Sequence, residues 1–277
     1  MISRKLDFHG MNNLRDLGGM PGANGRRVRP GMLFRSEHLH SADSEDLQKL
    51  AAALSLVVDF RSDPERAEKP DPDIPGVENI HVPIVENLAA GISRDKKSRD
   101  LIFLTLADDP DESKEYMCRM YRNFVMNDYC VSQYAKFVRL LFKEYENAVL
   151  WHCTAGKDRA GFASVIVEKM LGVDDAVVLE DYLQTNLCLK KDILELFRMA
   201  EGMLGGLTDT SKLALEYVFG AHREFLEAVL GAVTEKFGDF DGFIRNGLQV
   251  SNEELEYFRD RYLEQETSSG ITGHGIL

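Results

Sequence analysis

The sequence lacks the features that would assign it to a membrane, to an oxidising compartment or to nucleic acid. No stretch approaches the roughly 18 consecutive apolar residues of a membrane span, and residues 1–7 lack the apolar core of a signal peptide. The formal net charge of −13 argues against nucleic acid and anionic membranes as the main partners. We expect a cytoplasmic protein, with secretion that needs no signal peptide left open.

Cysteine is scarce, and its spacing forms no pattern. The four cysteines are Cys118, Cys130, Cys153 and Cys188. Their spacing is not the paired spacing of a disulfide framework. Together with the scattered histidines, they also do not show the ligand spacing of a zinc site. We therefore predict reduced thiols, buried in the core at every position except Cys153, and neither a metal nor a cofactor.

One stretch of the chain has the pattern of an anion site. Residues 148–151 are apolar, as in a buried strand, and a short glycine-containing loop leads to Arg159, where an apolar helix begins. Backbone N–H groups converge at such a helix N-terminus, where the helix dipole is positive. Cys153 and Arg159 enclose the loop with five residues between them. A thiolate can then lie beneath a bound oxyanion that the guanidinium binds through two hydrogen bonds.

The loop His-Cys-Thr-Ala-Gly-Lys-Asp-Arg, residues 152–159, resembles that of the bacterial atypical tyrosine and dual-specificity phosphatases, which is HCxxGKDRTG. Two more segments are similar to motifs of this branch. Residues 13–19 match its N-x-RDLGG motif, and residues 59–65 match DLRSxxE with Phe60 in place of leucine. The resemblance implies a protein-tyrosine-phosphatase-like hydrolase that acts through a phosphocysteine.

The resemblance also implies roles for individual residues. Cys153 would attack phosphorus and Arg159 would stabilise the equatorial oxygens of the transition state. The predicted phosphate-binding residues are Thr154, Ala155, Gly156, Lys157, Asp158 and Arg159. We predict Asp158 as the general acid, with Asp59, Asp71 and Asp73 as the other candidates. Alternatively, Asp158 only shapes the loop by pairing with Lys157 or Arg15.

Five residues are predicted to support the loop, namely His152, Arg15, Asp16, Asp59 and Arg61. His152 would orient the loop through backbone carbonyls. Asp59 and Arg61 end a predicted strand, where α/β proteins place their ligands, although a plain ion pair at the strand end explains them nearly as well. Arg15 and Asp16 would lie near the loop, in support of it or in contact with substrate, or would form a surface turn.

The sequence departs from the family pattern directly after the arginine. The family has threonine or serine there, whose hydroxyl bonds the catalytic sulfur and helps it leave, whereas this chain has Ala160. We therefore expect a less stabilised thiolate and slower hydrolysis of the phosphocysteine.

The predicted fold is α/β, with a small and mostly parallel central sheet flanked by helices. We expect one domain over residues 1–263, with a helical lid or insertion at 85–130 and a helical C-terminal half, followed by a disordered tail at 264–277. The main alternative to an enzyme is a catalytically weak module that binds phosphorylated ligands. A sulfurtransferase of the rhodanese type is a third hypothesis.

The expected substrates are phosphorylated proteins or phospholipid headgroups. Phosphotyrosine is the first choice, with phosphoserine, phosphothreonine and phosphoinositides also open. Lys157 favours phosphoinositides if it lies at the mouth of the pocket, because a second phosphate could pair with it there; a solvated lysine is the alternative.

Overall fold

A computed structural model describes residues 3–85, 105–106 and 108–264 of the chain. Its centre is a sheet of six strands in the order β1-β2-β3-β6-β4-β5. The strands are β1 Arg4–Lys5, β2 Arg15–Asp16, β3 Leu33–Ser36, β4 Leu54–Asp59, β5 Glu78–His81 and β6 Ala148–His152. Strands β3, β6, β4 and β5 pair in parallel, while β1 and β2 add an antiparallel edge. The predicted mostly parallel sheet is confirmed.

Helices surround the sheet and make up nearly all of the chain after β6. They are α1 Ser44–Ala53, α2 Asp63–Glu68, α3 Pro110–Met126, α4 Asp128–Leu141, α5 Arg159–Met170, α6 Asp175–Cys188, α7 Lys190–Leu204, α8 Asp209–Phe219, α9 Arg223–Phe237 and α10 Asn252–Tyr262. The predicted helical C-terminal half is therefore also confirmed. No helix among the described residues combines the length and apolar character needed to span a bilayer.

The register of the parallel strands determines where a site can form. Within β6, His152 lies opposite Ser36 of β3 on one side and Asp59 of β4 on the other. Three strands therefore end at one level, and in a parallel sheet ligands bind beyond these carboxyl ends. All of β6 is buried because it has a neighbouring strand on each side and helices on both faces.

Aromatic side chains of α3, α4 and α5 form part of the core. Phe124 of α3, Tyr134 of α4 and Phe162 of α5 are buried and in mutual ring contact. Helix α5 is buried along most of its length, so its N-terminus is held against the sheet.

Part of the predicted lid and most of the predicted tail lie outside the described residues. The lid covers 85–130, of which 86–104 and 107 are not described, and the tail includes 265–277. The extent of the domain, the lid and the tail remain predictions.

Candidate active site

The loop between β6 and α5 is held from outside through three successive carbonyl groups. The Thr154 carbonyl accepts from the His38 N–H at 3.2 Å, and the Ala155 carbonyl accepts from the Asn13 side chain at 2.9 Å. The Gly156 carbonyl accepts from Arg35 at 2.8 Å. Each peptide unit is planar and trans, so its N–H points away from its carbonyl. The N–H groups of the following residues therefore face the opposite side, as an anion-binding nest requires.

Gly156 is the residue that lets the loop pack this closely. Its φ is +67°, in the left-handed region that favours glycine. A Cβ atom there would lie 2.6 Å from the backbone carbon and oxygen of Ser36. Any other side chain would therefore push the loop away from β3.

Arg159 is buried at the first position of α5 and faces Glu65 of α2. The two side chains form parallel hydrogen bonds of 2.7 Å each. Burial alone would raise the pKa of Glu65, but the Arg159 guanidinium and the Thr154 hydroxyl outweigh burial and lower it to about 2. The ion pair thus keeps the guanidinium plane in one orientation beside the loop.

Asp158 receives a hydrogen bond from a buried tyrosine of α3. The Tyr121 hydroxyl donates to Oδ1 of Asp158 at 2.8 Å, and the Tyr182 hydroxyl donates to Tyr121 at 2.7 Å. Asp158 is only 4% exposed. Its carboxyl group therefore lies at the edge of the loop with a defined orientation.

Lys157 does not lie at the mouth of the pocket. Its ammonium is buried and donates to the carbonyls of Val218 and Gly220 at 2.6 and 2.9 Å, with Asp158 Oδ1 at 3.4 Å. The ammonium is therefore directed at the C-terminal end of α8, where the last carbonyls of a helix favour a cation. This position differs from the one that the sequence led us to expect.

His152 lies behind the loop within a cluster of charged residues. Its Nδ1 is 3.2 Å from the Cys153 carbonyl, and its Nε2 is 3.1 Å from Asp71. Burial lowers the pKa of His152, but Asp71 and Asp59 raise it by more, so the net shift is upward. Arg61 pairs with both carboxylates, at 2.8 Å from Asp59 and 2.6 Å from Asp71.

Asp59, Asp71 and Asp73 were the other candidates for the general acid. Asp59 and Asp71 are both engaged by Arg61, and Asp73 is exposed on the following loop. Asp59, Asp71 and His152 lie close enough together to ligate a metal ion. However, Arg61 already donates hydrogen bonds to both carboxylates. A second such group, His9 with Asp43 and Asp46, belongs to the cap of α1.

The N-terminal motif contacts the back of the loop through Asn13, whereas Arg15 contacts helix α6. Arg15 is buried and donates to the Asp181 backbone carbonyl at 2.8 Å, and Arg35 pairs with the Asp181 carboxylate at 3.1 Å. Burial and the neighbouring Arg35 lower the pKa of Arg15 to about 10. Asp16 accepts from the N–H groups of Gly18 and Gly31 and so stabilises turns. Arg15 therefore binds α6, whose Asp181 pairs with the same Arg35 that binds the Gly156 carbonyl.

Cys153 is 1% exposed, and Ala160 is fully buried beside it in the first turn of α5. The Ala160 carbonyl accepts from the hydroxyl of Ser164 and the indole N–H of Trp151. The hydroxyl of Tyr134 donates to the Arg159 carbonyl at 3.2 Å.

The side chains of Glu65, Asn13, Arg35 and Tyr121 contact the loop and were not among the predicted site residues. Two of them had a signal in the sequence, because Glu65 ends the DLRSxxE-like segment and Asn13 begins the N-x-RDLGG segment. Arg35 and Tyr121 had none, since each looked like part of an ordinary strand or helix.

Comparison with known proteins relates almost all of the chain to phosphatases. The model of the tyrosine phosphatase family matches residues 6–264. A Cupriavidus necator protein, provisionally named a tyrosine-protein phosphatase, is 30% identical over 260 residues, which cover 93% of this chain and 88% of that protein. The triple specificity protein phosphatase PtpB of Mycobacterium tuberculosis is 28% identical over 240 residues, covering 79% of this chain and 86% of PtpB.

Proposed function

The chain belongs to the tyrosine phosphatase family and is a protein-tyrosine-phosphatase-like enzyme, and we propose that it hydrolyses phosphate monoesters through a phosphocysteine formed on Cys153. The observation that carries the proposal is the loop whose three successive carbonyls, at residues 154–156, are bound from outside by His38, Asn13 and Arg35. We expect the N–H groups of the loop and the Arg159 guanidinium to converge above Cys153. A phosphate group has the charge and the three equatorial oxygens that such a ring of donors binds.

In the first step, the Cys153 thiolate forms a bond to phosphorus while the bond to the ester oxygen breaks. The leaving oxygen takes the proton of Asp158, and Arg159 with the loop N–H groups stabilises the equatorial oxygens. In the second step, water attacks phosphorus and gives its proton to the Asp158 carboxylate. The sulfur leaves as a thiolate and inorganic phosphate is released. All charges in this scheme are stabilised by groups of the chain itself, so we expect turnover in the presence of EDTA.

Phosphotyrosine is the proposed main substrate, with phosphoserine and phosphothreonine as slower ones. A tyrosine leaving group has a pKa of about 10, and an aspartic acid beside the loop is suited to protonating it. The triple specificity stated in the name of PtpB supports activity on more than one ester. The buried ammonium of Lys157 removes the support that we expected for a second phosphate, so we place phosphoinositides below phosphoproteins.

The test is hydrolysis of para-nitrophenyl phosphate and a phosphotyrosine peptide in EDTA by the wild type and by Cys153→Ser. We expect activity in the wild type, none in the variant, and a phosphorylated protein after acid quenching of the wild type alone. Activity that survives in Cys153→Ser would overturn the proposal.

A catalytically weak binding module is the second candidate, favoured by one observation, the absence of a hydroxyl at Ala160. It predicts that the wild type binds a phosphotyrosine peptide without turning it over. Turnover of thiosulfate instead of the phosphate ester would favour the sulfurtransferase hypothesis.

A further inference from the structure

We infer that Tyr121 is a positioning residue for the reaction, which holds Asp158 in the orientation that donates its proton to the leaving group. The inference rests on the proposed function, since it assigns a partner to the proposed general acid. It starts from a chain of hydrogen bonds that crosses three separate elements. Tyr182 of α6 donates to Tyr121 of α3 at 2.7 Å, and Tyr121 donates to Asp158 of the loop at 2.8 Å.

These hydrogen bonds run in one direction, from Tyr182 through Tyr121 to Asp158. Asp158 lies at their end and accepts from the Tyr121 hydroxyl, so the Tyr121 hydrogen points towards the aspartate. The oxygen of Tyr121 is then left as an acceptor for Tyr182. Burial first, and the nearby Asp158 charge next, raise the pKa of Tyr121 well above its usual value, so Tyr121 stays a neutral donor.

The hydrogen bond distinguishes the two oxygens of Asp158. Oδ1 accepts from Tyr121 and lies 3.4 Å from the Lys157 ammonium. Oδ1 is therefore the less basic oxygen, because a proton on it would be repelled by the hydroxyl hydrogen of Tyr121 and by the charge of Lys157. The proton of the acid form therefore resides on Oδ2, and the carboxyl group cannot rotate to exchange the oxygens without breaking the Tyr121 bond.

The tyrosines themselves have little freedom to move. Both are at most 1% exposed, and their rings meet edge to face with centroids 6.2 Å apart. Tyr121 also contacts Phe225 of α9 at a centroid distance of 5.4 Å. The orientation of Asp158 is thus set by the helical core and not by the loop alone.

The test uses substrates that differ in their need for an acid. We expect Tyr121→Phe to lower kcat/KM, which reports the step that releases the leaving group, about tenfold for a phosphotyrosine peptide. The loss should be less than about threefold for para-nitrophenyl phosphate, whose phenol leaves more readily. In the Asp158→Asn background the same substitution should have no further effect. Tyr182→Phe keeps the direct bond, so we expect a smaller loss in the same direction.

Tyr262→Phe is the matched control, because Tyr262 is equally buried and its hydroxyl donates to the Leu141 carbonyl outside the loop. Tyr262→Phe should leave the ratio of kcat/KM for the two substrates unchanged. Equal losses on both substrates, or a further loss in the Asp158→Asn background, would overturn the inference.

Cys153→Ser separates this inference from the proposed function. If Cys153→Ser is inactive and the substrate ratio of Tyr121→Phe and Tyr182→Phe equals that of the wild type, only the role of Tyr121 is wrong. If Cys153→Ser retains its activity, the proposed function and the role of Tyr121 are both wrong.

Discussion

Glu65 joins the catalytic loop to the start of helix α2. One of its oxygens, Oε2, accepts from Ser62 and from Arg159, and the other, Oε1, accepts from Arg159 and Thr154. A single buried carboxylate therefore caps one helix and orients the arginine that begins another. The consequence is that the geometry of the anion site depends on a residue 94 positions away in sequence.

Replacing Glu65 with glutamine should weaken both the fold and the proposed reaction. The change removes the carboxylate that pairs with the buried Arg159 guanidinium, and breaking a buried ion pair costs about 3–5 kcal/mol. We expect a loss at the lower end of this range in urea unfolding, and kcat/KM lowered at least tenfold. Glu254→Gln is the control, because its pair with Arg139 is exposed and worth about 1 kcal/mol or less. Equal destabilisation of the two variants would contradict the prediction.

The same carboxylate predicts acid sensitivity. The pKa of Glu65 falls from 4.5 to about 2 on folding, so its contribution to stability is fully present above about pH 4.5. That contribution, on the order of 3 kcal/mol, is lost as the pH falls through 4.5 towards 2. Urea unfolding at several pH values should show this loss in the wild type and a shallower dependence in Glu65→Gln. Parallel curves for the two proteins would show that Glu65 does not contribute.

His152 should remain protonated to a higher pH than an ordinary histidine. Its pKa is raised above 6.5 because Asp71 and Asp59 outweigh the effect of burial. The charged form therefore contributes stability below pH 6.5 that is lost as the pH rises through the folded pKa. Asp71→Asn should lower the pKa of His152 in an NMR titration of the imidazole. Asp73→Asn, an exposed change in the same loop, should leave it unchanged, and a shift of equal size in both would refute the assignment.

Gly156→Ala should lower the free energy of unfolding by more than the cost of placing alanine at a positive φ. Alanine at φ +67° costs about 1–2 kcal/mol, and its Cβ would also meet the Ser36 carbonyl at 2.6 Å. Gly25→Ala isolates the first effect, because Gly25 has φ +72° with nothing within 4 Å. We expect Gly25→Ala to lose only about 1–2 kcal/mol and Gly156→Ala to lose more, together with its phosphatase activity. Thermal unfolding and turnover of para-nitrophenyl phosphate measure both effects.

Ala160→Thr should speed the release of phosphate from the phosphocysteine. The added hydroxyl can stabilise the departing thiolate, so the ratio of the steady-state rate to the single-turnover rate should rise. Ala160→Val has nearly the same shape without the hydroxyl, and we expect no rise in this variant. Rapid-quench measurements on both variants test the prediction, and an unchanged ratio in Ala160→Thr would refute it.

Much of the fold was predictable because it depends on local patterns. The strand ending at His152, the helix starting at Arg159 and the parallel sheet all follow from apolar runs and their boundaries. The expectation for Lys157 was wrong about its environment for a physical reason. A sequence gives the position of a lysine along a loop, but only packing brings the end of α8 within reach of its ammonium.

The sequence by itself determined the chemistry that this protein carries: a cysteine and an arginine with five residues between them, on a loop between a buried strand and a helix. The tertiary structure decided which groups act on that loop. Glu65, Tyr121 and Arg35 reach it from α2, α3 and β3. Such contacts join residues far apart along the chain, so they depend on how the helices pack on the sheet, which no local pattern specifies.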